Sequence, residues 1–208
     1  MKNWWYYHKW YVIIGAVIIA GAANIACNAL GLFKKTPDYC IAYVGKTALP
    51  EDTVSMLKER FAKISSDFNG DGAVIVQLRQ YVDNSQSPVA GAEASYYELS
   101  SEITLIGDIT DCDSYFFIMD DPVLFQKEFH ILALPDGSSP GDTDYSTEGK
   151  VFPLADIPAL SNTDINSSTN GISPGSLSGL YIGRRYFYNE NTVNNINKCN
   201  ELWDLLFQ

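Results

Sequence analysis

Basic side chains are scarce in this sequence. The 208 residues include 14 lysines and arginines against 25 aspartates and glutamates, which gives a formal net charge of −11. Lys2 and Lys9 are the only charged residues before Lys34, so the remaining 12 basic and 25 acidic residues give the rest of the chain a charge of −13. Binding to nucleic acid requires basic surface that neutralises phosphates, and attachment to anionic lipid requires the same. The composition therefore excludes a nucleic-acid partner.

Histidine and cysteine are also rare, which narrows the available chemistry. His130 is the only histidine outside the N-terminal region, and the sequence marks no partner for it in a catalytic triad. The four cysteines lack the paired spacing of zinc sites. Three of them follow the apolar N-terminal run, so either Cys112 and Cys199 form a disulfide or all three are thiols. With no catalytic motif, enzymatic activity stays undecided, and a non-catalytic role is favoured.

One long apolar run is present near the N-terminus. Residues 11–33 carry no charge and exceed the roughly 20 residues that a helix needs to cross a bilayer. Tryptophan and tyrosine, which concentrate at membrane interfaces, are abundant just before this run. The sequence therefore predicts a cytoplasmic tail over residues 1–10, a transmembrane helix over Tyr11–Phe33, and an extracytoplasmic domain over residues 34–208.

Two alternatives to an uncleaved signal-anchor follow from the same run. Ala20-Gly21-Ala22 is acceptable as the cleavage site of a secretory signal peptide. Cys27 is the residue that a lipoprotein signal would modify, although Asn24 stands where that signal has an aliphatic residue. The positive-inside count is close to a tie between the two flanks. A cytoplasmic N-terminus is favoured because a short tail, one span and a large domain are typical of signal-anchors.

Strand and helix patterns alternate through the first half of the domain. Apolar, β-branched runs predict strands over residues 39–45, 73–82 and 113–119, and helical spacing predicts helices from residue 50, over 92–109 and over 123–128. The third run is apolar throughout, which is typical of a strand buried on both faces. The expected fold is a single α/β domain with a mostly parallel sheet flanked by helices.

The second half has a different composition. Residues 135–178 are rich in Asp, Ser, Thr, Asn, Gly and Pro, which predicts a long irregular segment that is either functional or mobile. A strand over 179–188 and a helix over 191–207 are predicted to close the chain. Arg184 and Arg185 lie in that strand beside aromatic residues, where we expect them to bridge to acidic loops, with a grip on a ligand carboxylate as the alternative.

Asp67-Phe-Asn69-Gly-Asp71-Gly72 carries the sharpest chemical signal. Oxygen ligands at the first, third and fifth positions followed by glycine match the first half of a calcium loop, with the main-chain oxygen of Ala73 next. The twelfth position, which normally supplies a bidentate Glu, is Leu78, so a remote carboxylate would have to complete the shell. The alternative is a glycine-rich turn that links a helix to a strand. The remote donors considered are Glu93, Asp111 and Asp113.

Other acidic residues have structural interpretations. Asp108, Asp111 and Asp113 are expected to cap a helix end and a strand start, with an acid–base or metal site as the alternative. Asp120-Asp121-Pro122 is expected to form an N-cap with proline at the first helical position.

Two short segments carry a resemblance to a known class of protein. Asp38-Tyr-Cys-Ile-Ala-Tyr-Val-Gly45 followed by Leu49-Pro-Glu-Asp52, and later Tyr115-Phe-Phe-Ile-Met119, resemble the first lobe of bacterial extracellular solute-binding proteins. The chain also resembles uncharacterised membrane-anchored bacterial proteins. The resemblance implies an α/β fold outside the cytoplasm, but about 175 residues are too few for two lobes, and it implies no ligand-binding residue.

Three functional hypotheses follow. The leading one is a membrane-tethered extracytoplasmic binding or interaction domain that Ca²⁺ stabilises at Asp67, Asn69, Asp71 and Ala73, with an unknown protein or small-molecule partner. The second is a cell-envelope enzyme with a carboxylate-based site such as Asp111 or Asp113. The third is an accessory subunit of a membrane complex, in which Asn24 and Asn28 contact another span.

Overall fold

The computed structural model describes residues 2–29, 36–82, 92–161, 177–187 and 196–208. The chain forms two separate units, Met1–Thr36 and Pro37–Gln208, each with its own internal contacts. Because the division falls close to the predicted end of the anchor, the second unit corresponds closely to the predicted domain.

The first unit is one long helix, α1, over Lys2–Ala29. Its stretch Tyr7–Cys27 is long and apolar enough to cross a membrane, and none of it is buried against protein. The aromatic residues that were expected to flank the span are part of the same helix, and Trp4 and Trp10 among them are exposed. Residues 30–33 of the predicted span lie outside the described residues.

The second unit contains five strands and five α-helices in the described ranges. In chain order the elements are β1 Tyr39–Gly45, α2 Glu51–Ile64, β2 Val76–Val82, α3 Ala92–Asp111, β3 Phe116–Met119, α4 Pro122–Phe129, β4 Val151–Pro153, a 3-10 turn Leu154–Asp156, α5 Pro158–Ser161, β5 Tyr181–Arg184 and α6 Ile196–Leu206. The sequence located β1 correctly at both ends. It extended β2, β3 and β5 by several residues, because apolar flanks look like strand.

The strands form one sheet in the order β2-β1-β3-β5-β4. β1 is parallel to both β2 and β3, whereas β5 is antiparallel to β3 and to β4. The expectation of a mostly parallel sheet was therefore wrong, because the sheet is mixed. α2 and α3 each carry the chain back to the amino ends of the strands, so that the next strand can run parallel to the previous one. The connection from β3 to β5, in contrast, starts and finishes at the same end of the strands, since Met119 pairs with Tyr181.

Helices cover both faces of this sheet, which gives three layers. Alternate residues of a strand point to opposite faces, and β1 shows this directly. Ile41 and Tyr43 belong to a core cluster shared with α2, α5 and α6, whereas Ala42 belongs to a second cluster shared with α3 and α4. β3 is buried along its whole length. The α/β fold with flanking helices is therefore confirmed.

The segment predicted to be irregular contains regular structure. Within its described part, β4, the 3-10 turn and α5 occupy residues 151–161, so the prediction was wrong there. β4 has only three residues and includes Pro153, which gives too short a pattern to recognise. The preceding loop is held by Lys150, whose buried ammonium group donates to the carbonyl oxygens of Asp144 and Ser146 at 2.9 and 2.8 Å. Residues 162–176 lie outside the described residues.

Candidate functional site

A cleft of about 210 Å³ opens at the carboxyl ends of the parallel strands. β1 contributes its last residues and Lys46, β2 contributes Tyr81 and Val82, and β3 is followed by Asp120 and Asp121. The helical wall comes from α3 and α4, through Ser101, Glu102, Leu105, Leu124, Phe125, Glu128 and Phe129. The cleft therefore joins four elements, β1, β2, α3 and α4, with the two residues between β3 and α4.

The order of the strands explains why a cleft forms at this place. From β1 the chain passes through α2 to β2 on one side, and through α3 to β3 on the other side of β1. α2 and α3 pack on opposite faces of the sheet. Where successive connections leave in opposite directions, a crevice opens outside the carboxyl ends of the strands, and ligands of α/β proteins bind there.

Gly45 shapes the lip of the cleft. A Cβ atom at this position would overlap the Tyr43 hydroxyl and would lie 3.1 Å from Asp120 Oδ2. Because Gly45 has no side chain, the Tyr43 hydroxyl can lie beside it and donate a hydrogen bond to the carbonyl oxygen of Thr47, at 2.8 Å. Burial and, to a smaller extent, the charge of Asp120 raise the pKa of Tyr43 to about 12. The hydroxyl therefore stays protonated and donates.

The main-chain donors at the cleft are already occupied. The Lys46 amide donates to Asp120 Oδ2 at 2.8 Å, and the Leu124 amide donates to Asp121 Oδ1 at 3.1 Å. Asp121 is the N-cap of α4 and Pro122 is at the first helical position, as the sequence predicted. Carboxylates of the chain thus occupy the positions where an anionic ligand would bind a helix N-terminus.

Acidic side chains dominate the charge of the cleft. Among the described residues that line it, Lys46 is the single basic side chain, and its ammonium lies 3.6 Å from Asp121 Oδ2. Glu102 on α3 and Glu128 on α4 make no hydrogen bond or ion pair with any part of the chain that the structure describes. Four carboxylates and one ammonium leave the lining with an excess of negative charge.

The predicted calcium loop lies elsewhere, between α2 and β2. Asp67 accepts hydrogen bonds from the amides of Gly70 and Gly72 through its two carboxylate oxygens, at 2.7 and 2.8 Å. Asn69 Oδ1 accepts from the Asp71 amide and Asp71 Oδ1 from the Ala73 amide, each at 2.9 Å. Both glycines have positive φ. The loop therefore has the geometry of the turn that was the alternative interpretation.

Buried Asp38 ties this loop to the start of β1. Its Oδ1 accepts from the amides of Phe68 and Asn69 at 2.9 and 3.1 Å, and its Oδ2 accepts from the Ile75 amide at 2.8 Å. Sequence reasoning did not single out this residue. The described residues contain no group of three or more His, Cys, Asp or Glu side chains that could hold a metal. The calcium hypothesis therefore stays a prediction.

Of the carboxylates proposed for an enzymatic or remote metal role, Asp108, Asp111 and Asp113 do not line the cleft, although Asp108 binds the hydroxyl of Tyr81, whose ring does. Buried Asp108 accepts from Tyr81 Oη at 2.6 Å, from Ser114 Oγ at 2.8 Å and from Arg79 at 3.2 Å. Asp113 lies 2.5 Å from the same guanidinium. Asp111 is exposed at the end of α3, and the Glu93 side chain lies outside the described residues. Asp108 therefore fastens the end of α3 to β2 and to the start of β3.

Arg184 and Arg185 are buried rather than directed to acidic loops. Arg184 donates to the Pro135 carbonyl oxygen and lies 5.2 Å from the Trp203 ring, and Arg185 donates to the Ile109 carbonyl oxygen at 2.9 Å. In the described part of the chain neither pairs with a carboxylate. The expected bridges to acidic residues were therefore wrong, since carbonyl oxygens and aromatic rings hold the pair.

His130 and the cysteines take structural positions. His130 ends α4, lies 3.1 Å from the Asp144 carbonyl oxygen and packs on the ring of Tyr145. Cys112 and Cys199 carry thiols and are not joined by a disulfide. Burial raises the pKa of Cys199 to about 12, which makes it a poor nucleophile.

Sequence reasoning missed the cleft itself. Asp120 and Asp121 were recognised only as a helix cap, and Lys46, Glu102 and Glu128 were not singled out. Their positions in the sequence could have indicated the cleft. Polar residues that directly follow two parallel strands lie together at the carboxyl ends of those strands.

The fold and the cleft define an α/β domain with a cleft of about 210 Å³ at the carboxyl ends of its parallel strands, preceded in the chain by an apolar helix. Comparison with known protein families, with curated proteins and with solved structures finds no match for this chain. The resemblance to one lobe of solute-binding proteins therefore stays a prediction.

Proposed function

We propose that this protein is a membrane-tethered, extracytoplasmic binding domain whose ligand site is the cleft at the carboxyl ends of β1 and β2, beside the residues that follow β3. The observation that carries the proposal is the coincidence of the cleft with the point where the strand order reverses. The lining combines aromatic and aliphatic side chains with a few polar groups, as is typical of small-molecule sites. The apolar helix α1 supports a tether.

A substitution that fills the cleft with a larger side chain tests the proposal. Leu124 lines the cleft and is partly exposed, so the fold has room for tryptophan there. The full chain in phosphatidylcholine nanodiscs would be screened by ligand-observed NMR against small aromatic amines, alcohols and carboxylates. We expect some of these fragments to bind the parent protein and to lose binding in Leu124→Trp.

Val123→Trp is the matched control for the blocked cleft. Val123 is the preceding residue, is more exposed than Leu124 and does not line the cleft. Its variant should bind the same fragments as the parent protein. If no fragment distinguishes Leu124→Trp from Val123→Trp, the cleft is not the binding site and the proposal fails.

The side of the membrane is a separate part of the proposal. A short N-terminal tail with the large domain outside predicts that a membrane-impermeant, amine-reactive biotin labels Lys46 and Lys198 on intact cells but not Lys2 or Lys9. Lys46 and Lys198 are both accessible in the structure. Labelling of Lys2 and Lys9 alone would place the domain inside, and permeabilised cells provide the reference for full labelling.

Calcium stabilisation also remains part of the proposal. The oxygens of Asp67, Asn69 and Asp71 face their own loop amides, and each oxygen retains a further lone pair for a cation. A ligand at 100 times its Kd stabilises a protein by about 2.7 kcal/mol. We therefore expect Ca²⁺ to raise the melting temperature of the full chain relative to chelator. Equal shifts in the parent and in Asp71→Ala would reduce the loop to a turn.

The alternatives receive less support from the described residues. Neither Asp111 nor Asp113 lines the cleft, and Asp113 is held by Arg79. A carboxylate-based enzyme acting through them has no geometry in its favour. The hypothesis of a complex subunit that makes contacts through Asn24 and Asn28 stays a prediction.

A further inference from the structure

Unengaged carboxylates are the main polar groups of the described cleft lining, beside the Ser101 hydroxyl and the Lys46 ammonium. The amide of Lys46, which follows β1, and the amide of Leu124, in the first turn of α4, are both already bound by carboxylates of the chain. The Tyr43 hydroxyl at the lip donates to Thr47 and is turned to the main chain. An anionic ligand would have to displace Asp120 or Asp121 from these donors, and it would meet their negative charge as it did so.

Acceptors remain available at the same place. Asp120 uses Oδ2 for the Lys46 amide, and its Oδ1 has no partner within the described parts of the chain. The carboxylates of Glu102 and Glu128 are likewise unengaged there, and they line the cleft from two different helices. Within the described lining Lys46 adds the only opposing charge, which Asp121 partly neutralises. A cleft lined by one sign of charge, with apolar walls, concentrates counter-charged ligands.

The walls between these carboxylates are apolar. Val44, Leu105 and the aromatic rings of Tyr81, Phe125 and Phe129 line the cleft. Its volume of about 210 Å³ lies below the roughly 300–1,000 Å³ of sites for drug-sized molecules. The cleft therefore suits a ligand with a short apolar body. An aromatic wall also favours a cation that stacks on a ring face.

We propose that the cleft takes a small organic cation, in which an ammonium or guanidinium group is carried on a short apolar body. This inference rests on the proposed function, because it assigns a ligand class to the same cleft. The cationic group binds the carboxylates of Glu102, Glu128 and Asp120. The apolar body lies between the β2 end and α4, against Tyr81 and Phe125.

Three probes of matched shape separate the ligand class from the existence of the site. They are 2-phenylethylamine, 2-phenylethanol and phenylacetate, which share a ring and differ in charge. Binding to the full chain in phosphatidylcholine nanodiscs would be measured by calorimetry, with empty nanodiscs subtracted. We expect the amine to bind about ten-fold more tightly than the alcohol and the carboxylate to bind most weakly. High salt should weaken binding of the amine but not of the alcohol.

Charge-neutralising variants locate the effect. Glu102→Gln and Glu128→Gln should each weaken amine binding by up to about five-fold, as expected for exposed charge pairs. Binding of the alcohol should not change in either variant. Glu59→Gln provides a matched control, because Glu59 is exposed on α2, on the other face of the sheet. That variant should bind the amine as the parent protein does.

The outcomes distinguish the two proposals. Amine-selective binding that falls in both cleft variants, and not in Glu59→Gln, supports the cation class. Equal affinity for the three probes, each lost in Leu124→Trp, keeps the cleft as a binding site and overturns the cation class. Amine binding that is unchanged in Glu102→Gln and Glu128→Gln also overturns it. If Leu124→Trp affects none of the probes, the proposed function itself fails, and the inference fails with it.

Discussion

The two ends of the parallel strands use their carboxylates in opposite ways. At the amino ends, Asp38 and Asp108 are buried, and both oxygens of each accept hydrogen bonds from inside the protein. At the carboxyl ends, Asp120 has one unengaged oxygen, and Glu102 and Glu128 bind nothing else that the structure describes. The acidic character of the chain thus has two roles. One group of carboxylates organises the fold, and the other is available to a ligand.

The largest expected effect is on stability, from a substitution among the buried carboxylates that the fold uses. Asp108→Ala would leave Arg79 without one of its carboxylates and would leave the hydroxyls of Tyr81 and Ser114 without their acceptor. Removing one partner from a buried charged network typically costs about 3–5 kcal/mol. We expect a loss of that size in the free energy of unfolding. It would be measured by urea denaturation of the full chain, followed by far-ultraviolet circular dichroism.

Asp111→Ala is the control for Asp108→Ala. Asp111 lies in the same last turn of α3 but is exposed. A substitution at such a surface position typically changes stability by no more than about 0.5 kcal/mol. Similar effects for the two variants would show that the Asp108 network does not hold the fold.

A second variant at the amino end should have a smaller effect. Asp38→Ala would remove the acceptor for the amides of Phe68, Asn69 and Ile75. Two of these amides are close to solvent and would regain water, so we expect a loss of about 2–3 kcal/mol. Hydrogen exchange should speed up most at Ile75, next to the start of β2.

Asp136→Ala serves as the comparison for Asp38→Ala. Asp136 is exposed and accepts hydrogen bonds from the amide and the hydroxyl of Ser138, within its own turn. Its replacement should change the free energy of unfolding by less than about 0.5 kcal/mol. Unchanged exchange at Ile75 in Asp38→Ala would mean that Asp38 does not fasten the loop to β1.

Alkaline pH should lower the stability of the protein through Tyr43, which lies at the carboxyl end of β1. The folded-state pKa of Tyr43, about 12, lies above its ordinary value of 10. Its contribution to stability is therefore complete below pH 10 and is lost as pH rises from 10 to 12. We expect the urea midpoint to fall over that interval, and to fall less in Tyr43→Phe.

Tyr145→Phe is the matched variant for Tyr43→Phe, because Tyr145 is exposed. It should show the same alkaline fall as the parent protein. Burial also raises the pKa of Tyr81 and of Tyr115, so part of the fall should remain in Tyr43→Phe. Identical pH profiles for the parent and Tyr43→Phe would contradict the assignment.

Local patterns in the sequence predicted the elements but not the way in which they combine. The apolar run of β1, the helical spacing of α2 from residue 50 and the Asp121-Pro122 cap of α4 each depend on residues close in sequence, and each prediction was confirmed. The direction of β5 depends on where a long connection returns to the sheet, and no local pattern records that. Residues 151–153 form a strand because β5 pairs with them, although their own pattern is too short to predict one.

The candidate site shows the same limit. The sequence does not distinguish a carboxylate that holds the fold from one that remains unengaged in a cleft. Asp108 and Glu102 lie six residues apart on α3, yet one is buried in a network and the other lines the cleft. Because α3 runs along the sheet, these positions lie towards opposite ends of the strands. The distinction therefore requires the tertiary structure.

The smallest expected effect completes the comparison of the two ends. Glu102→Gln and Glu128→Gln remove charges that no described group of the free protein uses, and they relieve repulsion with Asp120 and Asp121 across the cleft. We therefore expect the free energy of unfolding to stay within about 0.5 kcal/mol of the parent protein, with any change upward. Urea denaturation without added ligand measures this. A loss above about 1 kcal/mol would mean that these carboxylates hold the fold as Asp108 does, and the two ends of the sheet would then not differ in kind.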